Sequence, residues 1–165
     1  MFIVVISLVA IVLDQASKWW VVENLSSGKT APVLGSFLEL SYLENRGVAF
    51  GMGQSLAPFY PLLALAIIIG LLYFYKKELK GKSRVIDMAI GFIVGGALGN
   101  VIDRLVHSFV VDFISLHFGT YSFPVFNVAD SFVTVGVILL LLYFFLDDQE
   151  DKRKGGESHE RTNWK

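Results

Sequence analysis

Four long apolar stretches dominate the chain and constrain everything it can fold into. They run from Phe2 to about Val22, from about Ala57 to Tyr75, from Val85 to about Val106 and from about Val128 to Leu146. As helices, each comes close to the ~30 Å hydrocarbon thickness of a bilayer. With 54% apolar and 18% charged residues, the 165-residue chain is too apolar for a water-soluble globule. Four spans of about 20 residues each leave short connections and room for one membrane domain only. The expectation is an all-α membrane protein of four transmembrane helices, with spans at 2–22, 57–75, 85–106 and 128–146 in one domain, 1–146. Residues 147–165 are charged, contain Gly155-Gly156 and read as a disordered tail. A net charge of -1 gives no reason to expect nucleic acid as partner. The absence of cysteine excludes thiol nucleophiles, thiolate metal sites and disulfides.

The first stretch has no basic lead and no small-x-small cleavage site, and Asp14 interrupts its apolar run, so it reads as a retained span. Lys76, Lys77, Lys80, Lys82 and Arg84 crowd the second connection, and Lys152, Arg153, Lys154, Arg161 and Lys165 lie in the tail. The first connection holds only Lys29 and Arg46, and the third holds neither lysine nor arginine. This bias places both termini and the second connection in the cytoplasm, with 23–56 and 107–127 facing outward. Residues 33–43 are rich in strand formers and Asn45-Arg46-Gly47 supplies turn chemistry, which predicts a small strand-containing platform outside, between spans one and two. Residues 113–126 mix aromatic and polar residues and read as a segment lying in the membrane interface.

Charged residues within or beside lipid are costly and are therefore candidates for function. Asp14 and Lys18, at i and i+4, read either as a self-neutralising pair with a snorkelling lysine or as support for a site. Asn100, Asp103, Arg104 and His107 share one face near the outward end of the third span. Asp103-Arg104 is open between a structural ion pair and substrate contact. Gly91, Gly95 and Gly99 form a small-xxx-small stripe that suits close helix packing. Asp112 and Asp130 stand at the outer boundary on either side of one connection, with no basic residue near either in sequence. Asp130, beside Asn127 and Ser131, suits a cap on the fourth span, but capping does not account for Asp112. Two such carboxylates brought together would push their protonation apart, one ionised and one protonated, as in an aspartic-protease pair.

Zinc-protease, nucleophile-elbow and P-loop motifs are absent from the sequence. His107 and His117 lack ligand-like spacing and read as interfacial packing. Asp103, Asp112 and Asp130 have the ligand type for a divalent cation, but the reading adopted takes no metal and no cofactor. A transporter or proton conductor using Asp14, Asp103 and Arg104 is the alternative from another class. Its weakness is that the ionisable residues gather toward one membrane face and the sequence shows no repeat. A non-catalytic scaffold on the glycine stripe leaves the outward Asp and Asn residues unexplained.

Five blocks carry a resemblance: Asp14-Gln15-Ala16-Ser17-Lys18; Asn45-Arg46-Gly47-Val48-Ala49-Phe50; Gly95 through Arg104; Val110-Val111-Asp112-Phe113; and Phe123 through Ser131. In this order on a four-span chain they resemble the lipoprotein signal peptidase family, the type II signal peptidases of bacterial cytoplasmic (inner) membranes. The resemblance implies an aspartyl endopeptidase that cuts a prolipoprotein just before its diacylglyceryl-modified cysteine, at the outer face of the membrane. It places the catalytic pair on Asp112 and Asp130. Supporting or substrate-binding roles fall on Asp14, Lys18, Asn45, Gly47, Asn100, Asp103, Arg104, Asn127 and Ala129. The implied partners are the prolipoprotein, membrane lipid and the inhibitor globomycin.

Overall fold

The first apolar stretch forms α1, Phe2–Leu25, which runs unbroken through Asp14 and Lys18 because both side chains are buried against the rest of the protein. The computed structural model describes residues 1–47 and 54–162, with the backbone alone at 54, 55, 57 and 148–162. Val48, Ala49 and Phe50, which complete the second sequence block and the expected platform, lie outside the described residues. Helix α1 is followed by strands β1, Thr30–Leu34, and β2, Leu38–Asn45, and then by a 3-10 turn at Gln54–Phe59.

The second apolar stretch gives α2, Tyr60–Phe74, of 15 residues, extended by a π-helical turn at Tyr75–Leu79. As an α-helix it is shorter than the expected 57–75 span. Pro58 sits in the 3-10 turn and Pro61 in the first turn of α2, where a missing N–H costs nothing. Helix α3, Arg84–His107, opens where the Ser83 hydroxyl accepts a hydrogen bond from the Val85 N–H at 3.1 Å. It ends at Ser108, in the left-handed region with φ 66°. Strands β3, Val110–Phe118, and β4, Tyr121–Ser122, lead to α4, which starts at Val128 and continues to Thr162. The backbone of α4 thus carries on through the charged segment that the sequence reading expects to be a disordered tail. That segment is rich in Glu, Lys and Arg, which are good helix formers, and the helix runs through Gly155-Gly156.

Among the described residues, three helical stretches are long and apolar enough to cross a membrane: Phe2–Leu25, Arg84–His107 and Val128–Asp147. Their outer faces expose Leu8, Val12, Trp19, Leu105, Leu141 and Phe145, as expected where the surrounding solvent is lipid. Close approach comes from small residues. A methyl group added at Gly95 would lie 2.7 Å from the Ser7 carbonyl oxygen and the Ala10 Cβ, and one at Gly96 would collide with the Ala129 carbonyl. The Ser7 hydroxyl, facing the same groove, donates to the Gly91 carbonyl at 3.0 Å. The stripe read from the sequence therefore packs α1 on one side of α3, and Gly96 and Gly136 let α4 in on the other.

The sheet is larger than the expected platform. Its order is β1-β2-β3-β4, all antiparallel, so the two connections combine into one structure. Residues 110–118, expected in part as an interfacial segment, form β3 and pair with β2 from Leu38↔Leu116 to Asn45↔Val110. The register shifts between Leu40 and Leu43, and Leu43 then pairs with Asp112. Val111 and Phe113 pack with Val21 and Leu25 of α1, anchoring the sheet on the end of the bundle.

Candidate active site

The Asp112 carboxylate enters the site from β3, and Asp130 enters from the first turn of α4. Asn127 joins them. Its side-chain oxygen accepts the Asp130 N–H at 2.9 Å, and the Asp130 Oδ2 accepts the Asn127 N–H at 3.2 Å, a reciprocal cap on the helix. The capping role read for Asp130 is therefore real, but it occupies only Oδ2. Asp130 Oδ1 accepts from Asn100 Nδ2 at 2.8 Å. The Asn127 Nδ2 donates to Asp112 Oδ1 at 2.8 Å, and Asn45 Nδ2 donates to Asp112 Oδ2 at 2.8 Å. Asp112 is only 2% exposed. Burial is the main cause that pushes its carboxyl up to about 6, and the charge of Asp130 pushes the same way. The amides of Asn45 and Asn127 and the ammonium of Lys18 oppose the rise.

Behind this pair lies a buried charged layer. Lys18 Nζ sits 2.8 Å from Asp14 Oδ2, 2.9 Å from Asp103 Oδ2 and 2.9 Å from Asn100 Oδ1. Lys18 is 3% exposed and does not snorkel. Asp103 pairs with Lys18 rather than with its neighbour Arg104, and it also accepts the Val111 N–H at 3.1 Å. Asp14 Oδ1 accepts the Ala129 N–H at 2.9 Å. Arg104 donates to the Gly47 carbonyl at 3.1 Å and lies over the Tyr60 ring, 5.6 Å from its centroid. Gly47 in turn donates its N–H to Asn45 Oδ1 at 3.0 Å, which directs the Asn45 amide at Asp112.

Asn45, Asn100, Arg104, Asp112 and Asp130 open onto one cavity of about 660 Å³, walled by Phe123, Val125, Phe126 and Val135. Its lining mixes charged and amide side chains with aromatic and aliphatic ones. Both oxygens of Asp112 already face amide N–H donors, which a cation would have to displace. His107 stacks on Phe109 and His117 bonds Ser122, so neither joins the site. Sequence reasoning missed Gln15, whose amide ties Asp103 Oδ1 at 2.8 Å to Asp14 Oδ2 at 3.2 Å. It also missed Thr134, which lines the cavity one helical turn after Asp130. The i+4 spacing was the available signal for Thr134, and for Gln15 the signal was its place beside Asp14 as a polar residue within an apolar run.

Residues 6–146 match the family model described as signal peptidase (SPase) II. A lipoprotein signal peptidase of Clostridium novyi (strain NT) is 42% identical over 137 residues, covering 82% of this chain and 92% of that protein. The lipoprotein signal peptidase of Halalkalibacterium halodurans is 42% identical over 133 residues, covering 81% of this chain and 85% of that one. A solved bacterial membrane enzyme superposes with a TM-score of 0.80 at 32% identity, covering 90% of each chain.

Proposed function

This chain belongs to the signal peptidase II family, and from that premise we propose that it is an aspartyl endopeptidase whose catalytic pair is Asp112 and Asp130. As a lipoprotein signal peptidase it removes signal peptides from prolipoproteins, and the finer reading is that it cuts just before the diacylglyceryl-modified cysteine. One observation supports the mechanism: two carboxylates from separate elements, both tied to Asn127, line one cavity together with polar and apolar side chains.

The pair works with a single proton. The ionised member takes a proton from water as the water oxygen attacks the scissile carbonyl carbon, and the protonated member donates to the carbonyl oxygen. The tetrahedral intermediate then expels the amine, which leaves with a proton returned by the pair. The Asn45, Asn100 and Asn127 amides hold the carboxylates in place, while the apolar part of the lining suits the lipid-borne part of the substrate. In this reading α2 with its flanking turns is the second of four spans, the site lies at the outer face of the bacterial cytoplasmic membrane, and both termini are cytoplasmic. Globomycin occupies the same cavity.

The test is a gel-shift assay on diacylglyceryl-modified prolipoprotein in detergent. Asp112→Asn and Asp130→Asn each abolish cleavage while the protein remains folded; full activity in either variant overturns the pair. EDTA leaves the rate unchanged, and strong inhibition by it would point to a metal instead. Globomycin blocks cleavage by the unmodified protein.

A further inference from the structure

The three N–H bonds of the Lys18 ammonium have three acceptors, and only two of them are charged. Asp14 and Asp103 pair with it, but the third is the side-chain oxygen of Asn100 at 2.9 Å. An asparagine amide has two faces of opposite character, an acceptor oxygen and a donor nitrogen. With its oxygen held toward Lys18 and toward Asn127 Nδ2 at 3.1 Å, Asn100 must turn its nitrogen to Asp130, where it donates at 2.8 Å. Turned the other way, it would set a carbonyl oxygen against the carboxylate and an NH2 group against an ammonium.

We infer that Lys18 is a positioning residue for catalysis: it fixes the orientation of the Asn100 amide and through it the carboxylate of Asp130. The charge balance of the layer is a separate matter that Asp14 and Asp103 settle between them, so the two roles of Lys18 come apart experimentally. This inference rests on the reading of Asp130 as a member of the catalytic pair.

The test is Lys18→Met combined with Asp103→Asn, which removes one positive and one negative charge and leaves the layer's net charge unchanged. In the prolipoprotein assay this variant folds, keeps a KM near that of the unmodified protein and loses about 100-fold in kcat, the scale of an ångström-size misplacement. Asn100→Leu loses a similar amount, and the combination of all three substitutions loses no more than Asn100→Leu alone, because the lysine acts through the asparagine. An unchanged kcat in the charge-balanced variant, or losses that multiply in the combination, overturns the inference. Where the first variant does not fold, Lys18→Met with Asp14→Asn probes the same contact by the same two measurements. Asp130→Asn run alongside separates the failures: if it is fully active, the catalytic pair is wrong, whereas an inactive Asp130→Asn beside an unchanged Lys18 variant condemns only the role of Lys18.

Discussion

Two amide N–H groups hold the Asp112 carboxylate, yet its carboxyl is pushed up to about 6, because burial and the neighbouring charge of Asp130 outweigh them. Below about 6 Asp112 keeps its proton and the proposed pair retains its acid; above it that proton is lost. For the free enzyme kcat/KM is therefore expected to fall roughly tenfold per pH unit on the alkaline side of about 6. The limb in kcat lies at higher pH, since a bound acylated substrate excludes water and deepens the burial of Asp112. Rate profiles measured from pH 4 to 9 check this, and a kcat/KM that stays level to pH 9 contradicts it. The sequence marked Asp112 and Asp130 as candidates, because each is a costly carboxylate with no basic neighbour in the chain; their pairing was implied by the family resemblance, and in the structure both carboxylates bond Asn127. The partners of Lys18 were only half readable. Asp14 lies one helical turn away, whereas Asp103 was open between an ion pair with Arg104 and substrate contact, and the packing of α1 on α3 brings it to Lys18 instead. Side-chain bonds that bridge three elements, such as those of Asn127, leave no spacing signal at all.

The helices are legible to the extent that lipid, rather than their neighbours, dictates composition. Helices α1, α3 and the apolar part of α4 fall within a few residues of the expected spans, because an apolar run of bilayer length has one satisfactory backbone. The glycine stripe was also legible, and its consequence is testable. At Gly95 an added methyl meets the backbone oxygen of Ser7, which cannot swing aside as a side chain would. Gly95→Ala is expected to separate α1 from α3 at a cost of about 1–3 kcal/mol, the range for overpacking a tight site. Gly70→Ala on the exposed face of α2, where nothing lies within 4 Å, should leave stability unchanged or slightly raised. Thermal unfolding of both variants in one detergent gives the comparison, and equal midpoints would contradict the close approach. Strand β3 was harder to read for a physical reason. Its first four residues, Val110 to Phe113, are all buried, so the alternation that marks a half-exposed strand is missing exactly where the strand begins. Its partner β2 is distant in the chain, so no local spacing marks the pairing.

At the scale of the whole molecule, the sheet gathers both connections at one end of the bundle, the end that also holds Asp112, Asp130 and the cavity. The basic residues Lys76, Lys77, Lys80, Lys82 and Arg84 lie around the turn between α2 and α3, at the opposite end of α3 from β3. A membrane between those ends gives the molecule its direction, provided that α2 crosses it. Alone, the 15 residues of α2 span only about 22 Å, short of the ~30 Å core, and the helical turns on either side have to supply the remainder. Labelling decides this, and the absence of cysteine from the chain makes it simple. With a single cysteine at the exposed position Lys29, an impermeant maleimide added to intact cells whose outer layers admit it should react. With the cysteine at exposed Lys80, it should react only after the membrane is opened. If both positions label from outside, α2 does not cross and the four-span reading fails. If Lys80 labels and Lys29 does not, the orientation is reversed, and the pair could not meet a lipid-anchored cysteine on the outer surface.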